Sequence, residues 1–377
     1  MSSKTYHRAT ADFAVSTRTA KRVLIIEIAG LGDLVHSLPA MWAVRCAYPD
    51  AELHCLALKS YAGLLDLAPW IDRVLPYSRG HLHAFRYQLN VARMLRAQHY
   101  DVVINLVGSD YASAVGWISG AKRRLVRKPG DLKPRYGWHA LSTDVVEHPF
   151  RQEPMYLQRW KCLAQAGLET AAPEFRLNWQ PDIARTLGLT ETNRPRYIHV
   201  SPFTRGLHKQ MPLPQMVEML TRLHQQTPQT RLVISCASNA RECLALDELL
   251  AALPFEPWKS FSGTLDIPQL CAVIQSAALH LSGDTGSMHL AWLVGTASVS
   301  WFLHPGSIIQ WAPSGPQHAT VVIDAMQDPA MAIAAIVGQA LGLLGMEPPA
   351  PQLARPLEAD WHQGDGAGSG ELAGVFV

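Results

Sequence analysis

The run Val23-Leu-Ile-Ile-Glu-Ile28, followed by Ala29-Gly30-Leu-Gly32-Asp33 and then by Leu34-Val-His36-Ser-Leu-Pro39-Ala40, decides the fold. The compact apolar segment reads as a strand buried on both faces, the glycines as a turn, and residues 34–48 as a helix. Outward from it the pattern repeats. Strand-like runs at 52–58, 73–76 and 100–106 alternate with helical spacing at 61–67, 83–98 and 111–119. The rhythm weakens through 123–151, which is rich in Gly, Pro, His and basic residues, before a helix over 155–166. Beyond Pro173, Pro181 and Pro195 it restarts, with strands at 196–200, 230–235, 278–281 and 297–301 and helices at 214–226, 240–253, 267–276 and 287–294. Short apolar strands separated by helices predict parallel sheets covered on both faces, here as two α/β halves. The expected division is a flexible extension over 1–20, a first domain over 21–180, a linker over 181–195, a second domain over 196–346 and a disordered tail over 347–377.

Composition narrows the class. The 33 Lys and Arg nearly balance 31 Asp and Glu, giving a net charge of +2, so no global field marks a nucleic-acid binder. Hydrophobic residues make up 48% of the 377 and charged residues only 17%, against roughly 25% in ordinary globular chains. The six cysteines form no C-x-x-C pair, which fits reduced thiols of a cytoplasmic protein. Residues 1–20 lack the apolar core of a signal peptide, and the low-charge run 330–346 is shorter than the ~20 residues of a spanning helix, so it is expected to pack as a C-terminal helix.

Three segments carry chemistry, all at the carboxyl ends of strands, where open α/β sheets bind ligands. The first is Gly30-Leu-Gly32-Asp33, whose glycines permit a sharp turn and close ligand approach. A dinucleotide fingerprint needs a third glycine where Val35 stands, and no Gly-Lys-Ser/Thr follows, so neither a Rossmann cofactor site nor a P-loop is indicated. Asp33 reads either as a helix cap or as a catalytic base. The second segment is Ser282-Gly-Asp284-Thr285-Gly286-Ser287-Met-His289, where a helix N-terminus and small hydroxyl residues offer a dock for diphosphate, or else an ordinary cap with His289 as a packing residue. The third, Thr204-Arg-Gly-Leu-His-Lys209, places a lysine where it can meet phosphate. A basic cluster of Lys122, Arg123, Arg124, Arg127 and Lys128, continued by Lys133 and Arg135, suits an anionic acceptor or an acidic membrane surface, or else a solvated loop.

Together, Gly-Leu-Gly-Asp33-Leu-Val-His36-Ser-Leu-Pro39-Ala and Ser-Gly-Asp284-Thr-Gly-Ser-Met-His289-Leu-Ala resemble the glycosyltransferase family 9 heptosyltransferases, from about residue 22 to about residue 311. The resemblance implies a GT-B fold: two Rossmann-like domains across a cleft, acceptor on the first and ADP-heptose on the second. It implies metal-independent, inverting transfer to the inner core of lipopolysaccharide at the cytoplasmic face of the inner membrane, with peripheral membrane contact and no nucleic-acid partner. By motif position, Asp33 matches the general base and Lys209 the lysine on the donor phosphates. Thr204 matches a hydroxyl nearby, Asp284, Thr285, Gly286 and His289 the donor signature, and Glu242 a ribose-binding acid. Two features depart from the pattern: Met211 stands in place of a common Trp, and Cys236-Ala-Ser-Asn239 in place of a glycine-rich loop. Three other readings stay open: another sugar nucleotide, another acceptor, or a non-catalytic nucleotide-sugar-binding protein.

Overall fold

The computed structural model describes residues 12–78, 85–129, 136–148, 153–168, 177–179, 182–189, 197–324 and 328–345. The first half contains α1 (Asp12–Thr17), β1 (Arg22–Glu27), α2 (Leu31–Ala47), β2 (Glu52–Leu58), β3 (Arg73–Tyr77), α3 (Phe85–Ala97), β4 (Val102–Asn105), α4 (Asp110–Ile118), β5 (Arg123–Pro129), β6 (Asp144–His148) and α5 (Met155–Gln165). The second contains α6 (Asp182–Thr186), β7 (Ile198–Ser201), α7 (Leu213–Gln226), β8 (Leu232–Cys236), α8 (Ala240–Ala252), β9 (Lys259–Ser262), α9 (Ile267–Ser276), β10 (Leu279–Gly283), α10 (Gly286–Val294), β11 (Ser298–Phe302), α11 (Ile308–Trp311), β12 (His318–Val322) and α12 (Pro329–Leu344).

Each half is one six-stranded parallel sheet, ordered β3-β2-β1-β4-β5-β6 and β12-β11-β10-β7-β8-β9. Counted from its own first strand, the second sheet repeats the order of the first. In each, the chain departs in opposite directions from the first strand, so a crevice opens at the carboxyl end between β1 and β4 and again between β7 and β10. Two features explain why β1 is central. Its residues from Val23 to Glu27 are all buried, and the strand pairs on both sides, Val23 with Leu53 and with Val102. A strand covered on both faces has no reason to alternate.

Helix α2 is buried at every residue from Leu34 to Met41. One side of the helix lies on the sheet, and α5 and α10 pack on the rest. Its apolar residues share one continuous cluster with Cys271 and Ile274 of α9 and with Leu290, Ala291, Leu293 and Val294 of α10, so the halves are joined through α2.

Several expectations about organisation are corrected. Residues 12–17 are not loose: Phe13 is fully buried, the Arg123 guanidinium lies 5.3 Å from its ring centre, and the Ala14 amide donates to the Ala166 carbonyl at 3.2 Å. The weak-rhythm segment holds β5 and β6. Its basic residues hid a strand whose charges are met locally, as by Asp144, 2.7 Å from Arg123. Within the expected linker, Ala184 and Leu189 are buried with Tyr197 and Val233, so residues 182–189 belong to the second half. Strands β9 and β12 were also unread, being short edge strands of the second sheet. The helix expected over 330–346 is α12, which covers the second sheet with Ile333, Ile336, Val337 and Ala340. Residues 1–11 and the tail beyond 345 lie outside the described residues, as do Lys133 and Arg135.

Candidate active site

At the β1–α2 junction Gly30 takes the N-cap position and Asp33 stands in the first turn. Asp33 is therefore not the cap. Its Oδ2 accepts from the Gly30 amide at 3.1 Å, the returning half of a capping box. Its Oδ1 accepts from Arg159 Nη2 at 2.9 Å, and Arg159 Nη1 donates to the Asp33 carbonyl. The Arg159 side chain, on α5, is 1% exposed, and its Nη2 lies 3.4 Å from Oε2 of the fully buried Glu27 at the end of β1. Glu27 also accepts from Ser37 Oγ and, at 3.3 Å, from the Ala29 amide. Burial pushes the Glu27 carboxyl above its ordinary range, and the Arg159 guanidinium pulls it back. Asp33 keeps 29% of its side chain exposed, so its outer face stays open.

Glu27 and Arg159 were missed in the sequence. The signal was present: a glutamate inside an apolar strand is buried only with a partner. That partner sits more than a hundred residues away on a different helix, and no local pattern points to it.

The described residues of the basic cluster are divided among local partners. Arg123 pairs with Asp144, Arg124 donates to the carbonyls of Leu141 and Ala121, and Lys128 pairs with Glu147. Arg123 and Arg124 begin β5, at the end of the sheet away from the crevice, and Lys122 is exposed just before them. Arg127 reaches the site from beneath: it is 2% exposed, donates to Gln158 Oε1, and lies near enough to Arg159 that the two cations repel.

The β10–α10 junction is built differently. Thr285 is the N-cap of α10 but makes no side-chain cap bond, so no side chain of that cap takes up the first-turn amides. Ser287 Oγ, buried in that turn, has no hydrogen-bond partner. Asp284 Oδ2 accepts from Lys209 Nζ at 2.6 Å and from Ser307 Oγ at 3.4 Å. Thr204 Oγ1 donates to the Gly206 carbonyl at 2.8 Å, and the Thr204 carbonyl accepts from Arg241 Nη2 at 2.7 Å. Arg241 also meets Glu242 Oε1 at 2.9 Å, while Glu242 Oε2 accepts from the Ala237 amide at 3.0 Å. Thr204, Lys209 and Asp284 thus fall along the loops at the carboxyl ends of β7 and β10, and Glu242 in the first turn of α8 at the carboxyl end of β8.

The two junctions meet. His36 Nε2 and His289 Nδ1 are 3.0 Å apart across the interface. Trp292 stacks on His36 at 5.1 Å, and Trp311 stands edge-on to both imidazoles at 5.5 and 5.6 Å. Burial drives both histidines down, His289 to about 4, so both are neutral near pH 7. Glycine has a specific use here: a Cβ on Gly32 would lie 2.4 Å from His289 Cδ2, and one on Gly286 would lie 2.8 Å from Leu31 Cδ2. Gly32 and Gly286 thus admit the opposing half, a use beyond the turn expected of the Gly30–Gly32 loop; Gly30 itself has an ordinary extended backbone, φ −76°.

Two parallel-sheet Rossmann-like domains of identical strand order, joined at facing strand–helix junctions, define a GT-B fold. The sequence profile of "Glycosyltransferase family 9 (heptosyltransferase)" matches residues 88–334, and the chain belongs to that family. It is 24% identical to the lipopolysaccharide core heptosyltransferase OpsX of Haemophilus influenzae over 76% of this chain and 80% of the relative. It is 22% identical to lipopolysaccharide heptosyltransferase 3 of Escherichia coli over 72% of this chain and 79% of the relative. Among solved structures it superposes on a family 9 glycosyl transferase from Veillonella parvula with TM-score 0.71, at 16% identity, covering 86% of this chain and 97% of that one. It superposes on E. coli ADP-heptose lps heptosyltransferase II with TM-score 0.67, at 19% identity, covering 86% and 98%. Among the described residues, no helix is long and apolar enough to cross a membrane.

Proposed function

We propose that this enzyme moves a heptose from ADP-heptose to the inner core of lipopolysaccharide, Kdo-lipid A or an already heptosylated core, with inversion at the anomeric carbon. The observation that carries the reading is the facing of a partly exposed carboxylate, Asp33, and a helix N-terminus without a side-chain cap flanked by Lys209, from opposite halves of the chain. Asp33 takes the proton of the acceptor hydroxyl as that oxygen bonds to the anomeric carbon. The bond from that carbon to the diphosphate breaks on the opposite face, and ADP departs. Base assistance of this kind is worth roughly 10²–10⁴-fold.

The charge that builds on the diphosphate falls on Lys209 and the first-turn amides of α10, donors fixed in place before the reaction. Lys209 has three donors, so it keeps Asp284 and adds phosphate oxygens. A cation and a helix terminus do the work that a divalent ion does elsewhere, so transfer proceeds without a metal and is unaffected by chelators. Glu242 takes the ribose. The acceptor is an anionic glycolipid, reached by peripheral contact with the cytoplasmic face of the inner membrane.

The proposal is tested by a thermal-shift panel of ADP-heptose, other sugar nucleotides and NAD, followed by transfer to purified Kdo-lipid A and to a heptosylated core. ADP-heptose should give the largest rise in Tm, and heptose should appear on one acceptor with stoichiometric ADP. A larger shift with a different sugar nucleotide, or donor binding with no transfer to either acceptor, contradicts it.

A further inference from the structure

The buried charges behind Asp33 have no part in the scheme above. Arg159 contributes both arms of its guanidinium to one residue: Nη2 to the Asp33 carboxylate at 2.9 Å and Nη1 to the Asp33 carbonyl. A fork held to the side chain and backbone of the same residue fixes its χ1 and its position in the turn. On its far side the same Nη2 meets Glu27 Oε2 at 3.4 Å, and Glu27 is in turn held by Ser37 and the Ala29 amide. Arg159 and Glu27 are both about 1% exposed, so the chain of charges runs from the core of the sheet to the half-open carboxylate.

A cation bonded directly to a general base is chemically awkward, because it stabilises the carboxylate and weakens its pull on a proton. A buried anion on the other side of that cation offsets the effect. We infer that Glu27 and Arg159 act as a positioning unit for Asp33, Arg159 fixing its carboxylate toward the acceptor and Glu27 balancing the charge of the guanidinium behind it. The inference rests on the reading of Asp33 as the base. The other charged or titratable groups that feel Asp33 or this pair are Arg127 on β5, held by Gln158, His289 on α10, which is neutral, and Cys55 on β2, whose thiol burial and Glu27 push well up so that it too is neutral. His36, also neutral, faces Arg159 from α2.

The two members predict opposite effects on pH dependence, which a merely structural ion pair does not. In Glu27→Gln the uncancelled guanidinium holds Asp33 ionised to lower pH. The acid limb of the kcat profile moves down by roughly one pH unit, and the plateau falls about tenfold, with KM for ADP-heptose within about twofold of the parent. In Arg159→Met two carboxylates face each other without a cation, and the limb moves up by roughly one unit or more. The double variant Glu27→Gln/Arg159→Met restores the net charge and returns the limb to near the parental position, while kcat stays low because the fork is gone. Arg159→Lys keeps the charge but cannot span carboxylate and carbonyl. It serves where a single variant fails to fold: its limb stays in place and its kcat falls about tenfold or more.

The experiment is kcat and KM against pH for the full chain and these four variants, with Asp33→Asn as control. Opposite limb shifts with a restored limb in the double variant confirm the unit. Limbs that stay put in both single variants, beside an inactive Asp33→Asn, overturn this inference alone. An Asp33→Asn enzyme with parental turnover removes the base reading, and this inference with it.

Discussion

The two halves share a strand order, yet the strand–helix junctions that meet between them, after the first strand of one sheet and the fourth of the other, serve opposite charge. In the first half the helix after the central strand carries a carboxylate in its first turn, backed by a buried cation and a second carboxylate. In the second half the helix after β10 carries no acid in its first turn, leaves that turn uncapped by a side chain, and is flanked by a lysine. In the proposed reaction the first terminus accepts a proton and the second receives an anion. A strand–turn–helix unit thus fixes where chemistry happens, while the few side chains around its first turn fix which chemistry it is.

The comparison is broken most severely at Lys209. Replacing it with Ala leaves Asp284 without its cation in the donor half, and turnover should fall roughly 10²–10³-fold with weaker ADP binding, measured by initial rates and calorimetry. Unchanged donor affinity and rate would remove the second half's claim on the anion. The contact between halves comes next. Gly32→Ala drives a methyl group into the His289 ring and should cost about 1–3 kcal/mol in urea unfolding, with Gly286→Ala similar against Leu31. Parental stability for both would mean that the halves do not close as described.

Acid titration sharpens the contrast further. His199 and His280, hydrogen-bonded at 2.9 Å between adjacent strands of the second sheet, and His36 with His289 at the interface, all have pKa values depressed by burial. A depressed folded value means that the unfolded chain binds protons first. Stability is therefore full above the ordinary value of 6.5 and falls as pH drops toward about 4 for His289 and about 3 for His199. Each group loses at most ~1.4 kcal/mol per pH unit, and His199→Asn should flatten the dependence seen in Tm between pH 6.5 and 4.5. The smallest effect belongs to the first half's surface. Lys122→Ala and Lys128→Ala should change acceptor KM by no more than about twofold, because Lys128 is committed to Glu147 and exposed pairs contribute little.

Much of this contrast was legible in the sequence, and the remainder was hidden for definite reasons. The central strands announced themselves because a strand buried on both faces is an unbroken apolar run. The Asp33 and Asp284 motifs stood out because glycine at a strand–helix junction is costly unless used. Strand β5 was hidden because Arg123, Arg124, Arg127 and Lys128 read as surface, although Asp144, Leu141, Gln158 and Glu147 supply their partners from elements folded around the strand. The use of Gly32 was hidden too: the object it makes room for, His289, comes from the other half of the chain. Glu27 and Arg159 form the clearest case, a site component whose meaning exists only once two distant segments touch.

The central claim is that the first half does the proton chemistry and the second half holds the donor. It is tested most directly on Asp33→Asn, by measuring ADP-heptose affinity and single-turnover transfer on the same preparation. The account predicts donor affinity within about twofold of the parent and transfer slowed by roughly 10²–10⁴-fold. Transfer at the parental rate, or loss of donor binding in step with loss of transfer, would contradict it.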